Sequence, residues 1–322
     1  MSNSVLILQK QDVLEKQKSE IQEVLGEFWS ADNIFFISPE DAVEKIEGVE
    51  ILIAPPHPAI TGVLEKNPQI NWIHFLSAGV EPIWAMPFDK TRYYLTKSSG
   101  VHARPMAEFA VGAVLHFLKD FGGFTRKQLN KQWQRRWLDE CEGKTLGIIG
   151  MGAIGTRVAE IAANLGLRVV GTVHGQPREV PSLDTLYSHG QIDQLLMESD
   201  FVLLLVPLTS ETKGLLTATH FDLMKSDSVL INLARGGVVA EGDLIDALKE
   251  NKIGGAALDV FEDEPLPEDS PLWEMDNVLI TPHVSGTTQY YLERALSIFK
   301  QNYNQFMYDG SFVTPVDKEK KY

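Results

Sequence analysis

Short apolar, β-branched runs alternate along the chain with stretches whose apolar positions recur every three or four residues. The first series predicts strands over residues 5–8, 34–37, 50–53 and 71–75, separated by helices near 12–25, 40–46 and 61–66. A helix over 104–119 opens with Pro105 in its first turn, where a missing N–H has no intrahelical partner to lose. Gly122 and Gly123 are expected to interrupt it, with helical character returning up to Trp133. A second series then predicts strands over 145–149, 168–173, 201–205, 228–232, 255–259 and 277–281. Its helices fall at 154–165, 192–197, 218–224 and 241–249. The last pattern, 289–307, is a long amphipathic helix with Leu292, Leu296, Phe299 and Tyr303 at helical spacing. The charged tail, 317–322, is expected to fray. Strands that alternate with helices imply parallel sheets with helical crossovers. The fold class is therefore α/β with two parallel-sheet units, the second inserted into the first if the last helix packs back on the N-terminal unit.

Composition narrows the function. A length of 322 residues suits two domains, and 44% hydrophobic with 23% charged residues excludes wholesale disorder. The net charge of −15 repels a phosphate backbone, so no nucleic-acid partner is expected. The same charge repels an anionic substrate, which then needs a locally placed positive group. The single cysteine, Cys141, excludes an internal disulfide framework and fits a reducing compartment. It stands among Asp139, Glu140 and Glu142, anions that disfavour a thiolate, and is read as structural. The N-terminus lacks a basic region, and the apolar run 201–206 stops at Pro207, far short of a membrane span. A cytoplasmic protein with no membrane partner and no metal site is expected.

The chemistry begins at Gly150-Met151-Gly152-Ala153-Ile154-Gly155, which follows a predicted strand and opens a predicted helix. Gly150 permits a tight turn, Gly152 lets the backbone approach a pyrophosphate, and Gly155 lets helix and strand pack closely. Free N–H groups and the helix dipole attract phosphates there. A glycine-rich turn of any α/β protein has a similar form, but strand before and helix after favour a dinucleotide. An acid that grips the adenosine ribose is expected about 20 residues on. The second strand instead ends at Val173, followed by His174 and, a little further, Arg178. Loss of the carboxylate removes repulsion against a 2′-phosphate, and Arg178 or His174 offers it a partner, which favours NADP over NAD. A solvated loop charge is the alternative for Arg178.

Ligands of such sheets bind beyond the carboxyl ends of the strands, and there the second series gathers its unusual residues. Val206 and Pro207 follow one strand, Ala234 and Arg235 the next, Asp259 to Glu264 another, and His283 the last. Arg235 offers a fork for a carboxylate, His283 exchanges a proton near neutral pH, and a neighbouring acid can orient the imidazole. Each has an ordinary reading, as a surface ion pair, a solvated turn or a hydrogen-bonded histidine. Their convergence beside a phosphate loop favours the catalytic one.

Four ordered motifs, 147–155, 230–237, 257–265 and 281–283, closely resemble the D-isomer-specific 2-hydroxyacid dehydrogenase family. The resemblance spans nearly the whole chain and is strongest over about 107–287. It implies a substrate domain, 1–100 plus 287–322, and a dinucleotide-binding domain, 101–286, with Rossmann-like or flavodoxin-like sheets. It implies that Arg235 binds the substrate carboxylate and polarises the 2-keto oxygen, that His283 protonates that oxygen, and that Glu264 holds His283. Glu264 is preferred to Glu262 because it stands directly before Pro265. Asp259 resembles the residue that bonds the nicotinamide carboxamide, and Ala78, Gly79 and Val80 the loop whose amides take the carboxylate. NADP or NAD is the implied cofactor, and a homodimer through the cofactor domains the implied assembly. The stretch 54–61 has no Arg or Lys, only His57, which disfavours a phosphorylated substrate. A reductase of glyoxylate, hydroxypyruvate or a similar keto acid is thus expected. A phosphoglycerate dehydrogenase without its regulatory region is the closer alternative, and a dinucleotide-sensing regulator of the C-terminal-binding type the more distant one. Trp84, His102 and Trp273 are expected to shape substrate selectivity.

Overall fold

The computed structural model describes residues 4–41, 44–173, 179–319 and 321. The chain forms two compact units, Met1–His102 with Thr288–Tyr322, and Ala103–Thr287. In the first, β1 (Ser4–Leu8), α1 (Gln11–Leu25), β2 (Ile34–Ile37), β3 (Val49–Ala54), α2 (Ile60–Lys66), β4 (Trp72–Phe75) and β5 (Tyr94–Lys97) follow in order. The second begins with α3 (Ala103–Leu118), α4 (Phe121–Leu129), β6 (Thr145–Ile149), α5 (Ala153–Asn164), β7 (Arg168–Val173) and β8 (Thr185–Ser188). It continues with α6 (Ile192–Glu198), β9 (Phe201–Leu204), α7 (Ala218–Phe221), β10 (Val229–Asn232), α8 (Glu241–Lys249), β11 (Gly255–Leu258) and β12 (Val278–Ile280). The chain returns to the first unit as α9 (Tyr291–Asp309).

Both sheets are parallel throughout. The first unit has the order β2-β1-β3-β4-β5, the second β12-β11-β10-β9-β6-β7-β8. Helices cover both faces of each sheet, so central strands are apolar on both sides. Every residue of β1, SVLIL, is buried, as is every residue of β9, FVLL. In the first unit one face packs Leu6, Leu52, Ile73 and Phe75 against α2, and the other packs Val5, Ile51 and Trp72 against α1 and α9. α9 contributes Leu292, Ala295, Leu296 and Phe299, and Phe299 packs on Trp72 and His74. Burial of one such aromatic side chain contributes about 1.5–3 kcal/mol. The helix ends where Gly310 takes φ 78° and its N–H caps the Phe306 carbonyl.

Several expectations need correction. Residues 44–46 form no helix, because side chains of a later turn take their backbone groups: the Ile46 N–H donates to Asn67 Oδ1, and the Glu44 and Ile46 carbonyls accept from Asn67 and Gln69. The break after α3 falls at Asp120, with φ 48°, and Gly122 and Gly123 lie inside α4. A Cβ on Gly123 would sit 2.3 Å from the Asp120 carboxylate, so the glycine makes room for that group, which in turn pairs with Arg136 at 2.7 Å. α4 ends at Leu129, short of Trp133. The tail is held rather than frayed where it is described: Lys318 donates to the Tyr93 carbonyl and the Trp84 indole to the Lys321 carbonyl. β5 and β8, absent from the predicted strands, are real edge strands. Among the described residues no helix is long and apolar enough to cross a membrane.

Candidate active site

The strand order of the second unit reverses between β6 and β9, and a crevice opens where two neighbouring connections depart in opposite directions. The 150–155 loop lies at this point. Gly150 has φ 114°, and a Cβ on it would meet the Leu205 carbonyl carbon at 3.0 Å and Val206 Cγ1 at 3.1 Å. That places Val206 and the Pro207 turn beside the loop. Gly155 is buried, and a Cβ there would lie 2.6 Å from the Gly150 oxygen. Gly152 is exposed, with no atom within 4 Å of where its Cβ would be. It is the N-cap of α5, and no side chain caps that end. The first helical bond starts at Thr156, whose N–H donates to the Gly152 carbonyl, so the Ala153, Ile154 and Gly155 amides stand ahead of the ladder. Open space over uncapped amides fits a pyrophosphate. When bound, a nicotinamide dinucleotide supplies the hydride and the redox chemistry that side chains lack. His174 and Arg178 lie outside the described residues. Val173 is described and half-buried, and Glu179 is exposed.

The remaining strand ends of this unit converge by backbone contact. Arg235 is exposed, and its Nη1 donates to the Ala234 carbonyl at 2.7 Å. Ala234 is buried, and its N–H donates to Asn232 Oδ1 at 3.1 Å. The next residue, Gly236, presses on the acidic loop: a Cβ would lie 1.9 Å from the Phe261 carbonyl carbon and 2.4 Å from the Glu262 nitrogen. Only glycine permits that approach. Within the acidic loop the carboxylates divide. Glu262 and Glu241 each accept the other's backbone N–H, at 3.2 and 3.0 Å. Glu264 accepts the Phe261 N–H through Oε1 at 3.2 Å, and its Oε2 lies 2.8 Å from His283 Nδ1. A proton on Nδ1 then faces the carboxylate, and Nε2 lies outside this pair.

His283 stands at φ 53°, and its N–H donates to the Asp259 carbonyl at 2.9 Å. Asp259 is buried, and its carboxylate is taken up by the same loop. Oδ1 accepts from Thr281 Oγ1 at 2.6 Å and the Val284 N–H at 2.9 Å, and Oδ2 accepts from the Ser285 N–H at 2.9 Å. Asp259 therefore anchors the turn that carries His283, a role the motif did not disclose. Gly236 was expected to let backbone approach a ligand, and the structure sets it against the backbone of the acidic loop instead. Its spacing after Arg235 was legible, but its neighbour across the fold was not.

In the first unit, Ala78, Gly79 and Val80 follow β4. Among the described residues nothing accepts from their three N–H groups. The Gly79 carbonyl is held by Ser77 Oγ at 2.5 Å, and Gly79 leaves room for the Glu81 carboxylate, 2.7 Å from where a Cβ would stand. The residues expected to set selectivity are engaged locally. Trp84 reaches Lys321, the Trp273 indole donates to the Pro267 carbonyl at 2.9 Å, and the His102 ring lies tilted against Tyr291 with ring centroids 5.4 Å apart.

Residues 111–285 match the family model described as the NAD binding domain of D-isomer specific 2-hydroxyacid dehydrogenases. The chain belongs to the D-isomer specific 2-hydroxyacid dehydrogenase family. Members of this family are oxidoreductases that interconvert 2-hydroxy and 2-keto acids with NAD(P). The chain is 32% identical over 281 residues to a D-3-phosphoglycerate dehydrogenase of Methanocaldococcus jannaschii, covering 86% of this chain but only 53% of that longer relative. It is 34% identical over 239 residues to a glyoxylate reductase of Aeropyrum pernix, covering 70% of each. The fold superimposes with a TM-score of 0.82, at 28% identity and 100% coverage of both chains, on a D-isomer specific 2-hydroxyacid dehydrogenase from Xanthobacter autotrophicus Py2 solved with NADPH and MES.

Proposed function

We propose that this member of the family reduces a small 2-keto acid, such as glyoxylate or hydroxypyruvate, to the D-2-hydroxy acid, using NADPH at least as well as NADH. The observation that carries the proposal is the 2.8 Å contact between Glu264 and His283 Nδ1. It fixes the ring so that Nε2 delivers a proton to the carbonyl oxygen while the charged imidazole stays paired. Arg235 binds the substrate carboxylate and polarises the keto oxygen. The Ala78, Gly79 and Val80 amides of the first unit offer donors to a carboxylate, which makes that unit the substrate domain. Gly150, Gly152, Ala153, Ile154 and Gly155 hold the pyrophosphate, Val206, Pro207 and Ala234 line the dinucleotide, and Asp259 bonds the carboxamide through its remaining acceptor capacity. The glyoxylate reductase relative supports the substrate class. The missing acid at Val173 and the NADPH-bound relative support the cofactor. A screen of 2-keto acids with NADH and NADPH, followed by nicotinamide absorbance, tests the proposal. A strong NADH preference would overturn its cofactor half, and inertness toward all keto acids the whole.

A phosphoglycerate substrate is the second reading, favoured by the M. jannaschii relative. Against it, His57 is the sole basic residue in 54–61, and its Nδ1 already accepts the Ala59 N–H. A homodimer through the second unit is part of the proposal. Trp133 and Trp137 are 99% and 97% exposed, and Leu129 and Phe121 are also exposed. An apolar surface of that kind calls for a partner, and a second copy is the one we assign. Light scattering should report a dimer, and Trp137→Glu should shift it toward monomer. A cytoplasmic location completes the reading, resting on the lone cysteine and the acidic charge.

A further inference from the structure

We propose that Tyr291 is a positioning residue for the substrate: by holding the Leu76 carbonyl it keeps the Ala78, Gly79 and Val80 amides presented to a carboxylate. The inference rests on the reading of that loop as the carboxylate site.

An anion is bound by backbone only if the amides face it and the carbonyls do not, because carbonyl oxygens carry the opposite partial charge. The end of β4 meets this condition in an unusual way. The Phe75 carbonyl accepts from both the Ser98 N–H and Ser98 Oγ, each at 3.0 Å. The Ser77 carbonyl accepts from the same Ser98 N–H at 3.0 Å, and the Gly79 carbonyl from Ser77 Oγ at 2.5 Å. The Leu76 carbonyl accepts from Tyr291 Oη at 2.6 Å. Four of the five carbonyls from Phe75 to Gly79 are thereby tied to donors, while the three amides of Ala78 to Val80 have no acceptor among the described residues.

Tyr291 suits this task. It is the first residue of α9, and Leu292, Ala295, Leu296 and Phe299 seat that helix in the core of the first unit. Its ring lies against His102. Burial pushes its phenol pKa up to about 12, so the group remains a donor at any working pH. The tie also crosses 215 residues of sequence, whereas Ser77 and Ser98 act from nearby. The return helix therefore carries one member of the substrate loop's scaffold.

Tyr291→Phe removes the hydroxyl and keeps the ring. In the full chain, with glyoxylate as substrate and NADPH saturating, the KM for glyoxylate should rise about five- to tenfold, the range expected for one lost hydrogen bond. The kcat should stay within about twofold, the KM for NADPH should not move, and the Tm should fall by no more than a few degrees. Ser77→Ala, at a half-buried position where folding is not at stake, should raise the glyoxylate KM about two- to fivefold by freeing the Gly79 carbonyl. An unchanged glyoxylate KM in Tyr291→Phe, with an active wild type, overturns the inference and leaves the proposed function standing. So does a common fall in Tm and kcat, which would mark Tyr291 as packing alone. If the phenylalanine variant does not fold, an unchanged KM in Ser77→Ala overturns it. A wild type inert toward 2-keto acids overturns the function and the inference together.

Discussion

The two units each present backbone amides at the carboxyl end of a parallel sheet, and they do so by opposite means. In the second unit the device is local: three glycines within six residues shape the turn, and the first turn of α5 supplies the amides. In the first unit no glycine run is present. The amides of Ala78 to Val80 have no acceptor among the described residues, while side chains of Ser77, Ser98 and Tyr291 hold the neighbouring carbonyls. A device built from one segment is written in its sequence, whereas one built from three segments is spread over some 200 positions and leaves no motif.

The largest effect should come from a change that spares both devices. His283→Asn should lower kcat about 100-fold or more, as loss of a general acid does, while NADPH and oxamate still bind. Turnover near wild type would remove His283 from the mechanism. Gly155→Ala attacks the local device, since the new Cβ meets the Gly150 oxygen at 2.6 Å. Overpacking of about 1–3 kcal/mol should weaken NADPH roughly ten- to hundredfold in a fluorescence titration. Undiminished affinity would show that the close packing of Gly155 is dispensable. Arg235→Lys keeps the charge and loses the planar fork, so kcat/KM for keto acids should fall on the order of tenfold. Equal values across several keto acids would move the substrate away from Arg235.

The smallest effect lies in the first unit alone. His74 is fully buried, its ring nitrogens 2.8 Å from Thr96 Oγ1 and 3.1 Å from Ser98 Oγ, and burial pushes its pKa down to about 3. In the unfolded chain it titrates near 6.5. Between those values the unfolded state binds more protons, so this contribution to stability is full above about pH 6.5 and declines as pH falls toward 3. The slope is at most about 1.4 kcal/mol per pH unit. Urea melts at pH 7, 6, 5 and 4 should show the decline, and His74→Gln should flatten it. A parallel decline in the variant would assign the acid limb to other groups.

What could be read beforehand follows the same division. The alternation of strands and helices was plain because central strands are buried on both faces and therefore uninterruptedly apolar. β5 (YLTK) and β8 (TLYS) escaped because each is the last strand of its sheet and carries polar residues that mimic a loop; beyond β5 lies only an antiparallel bridge from Thr96 to Pro315. The helix expected at 40–46, of which 42 and 43 lie outside the described residues, fails over 44–46 because Asn67 and Gln69, more than 20 residues away, take its backbone groups. In the candidate site the pairing of Glu264 with His283 was legible only through the family resemblance, with Glu264 singled out by standing directly before Pro265. The anchoring by Asp259 and the ties at Leu76 were not, since they depend on partners that only the fold assembles.

The approach of Gly236 to the Phe261 backbone has a consequence for anyone redesigning this enzyme. Arg235 and Glu264 ride on loops that touch main chain to main chain, so neither loop can be lengthened, shortened or re-aimed independently. Libraries aimed at new substrates should leave positions 236 and 261 untouched and place their diversity elsewhere. A variant that shifts one loop will drag the other, and its losses in substrate grip and proton delivery will arrive together.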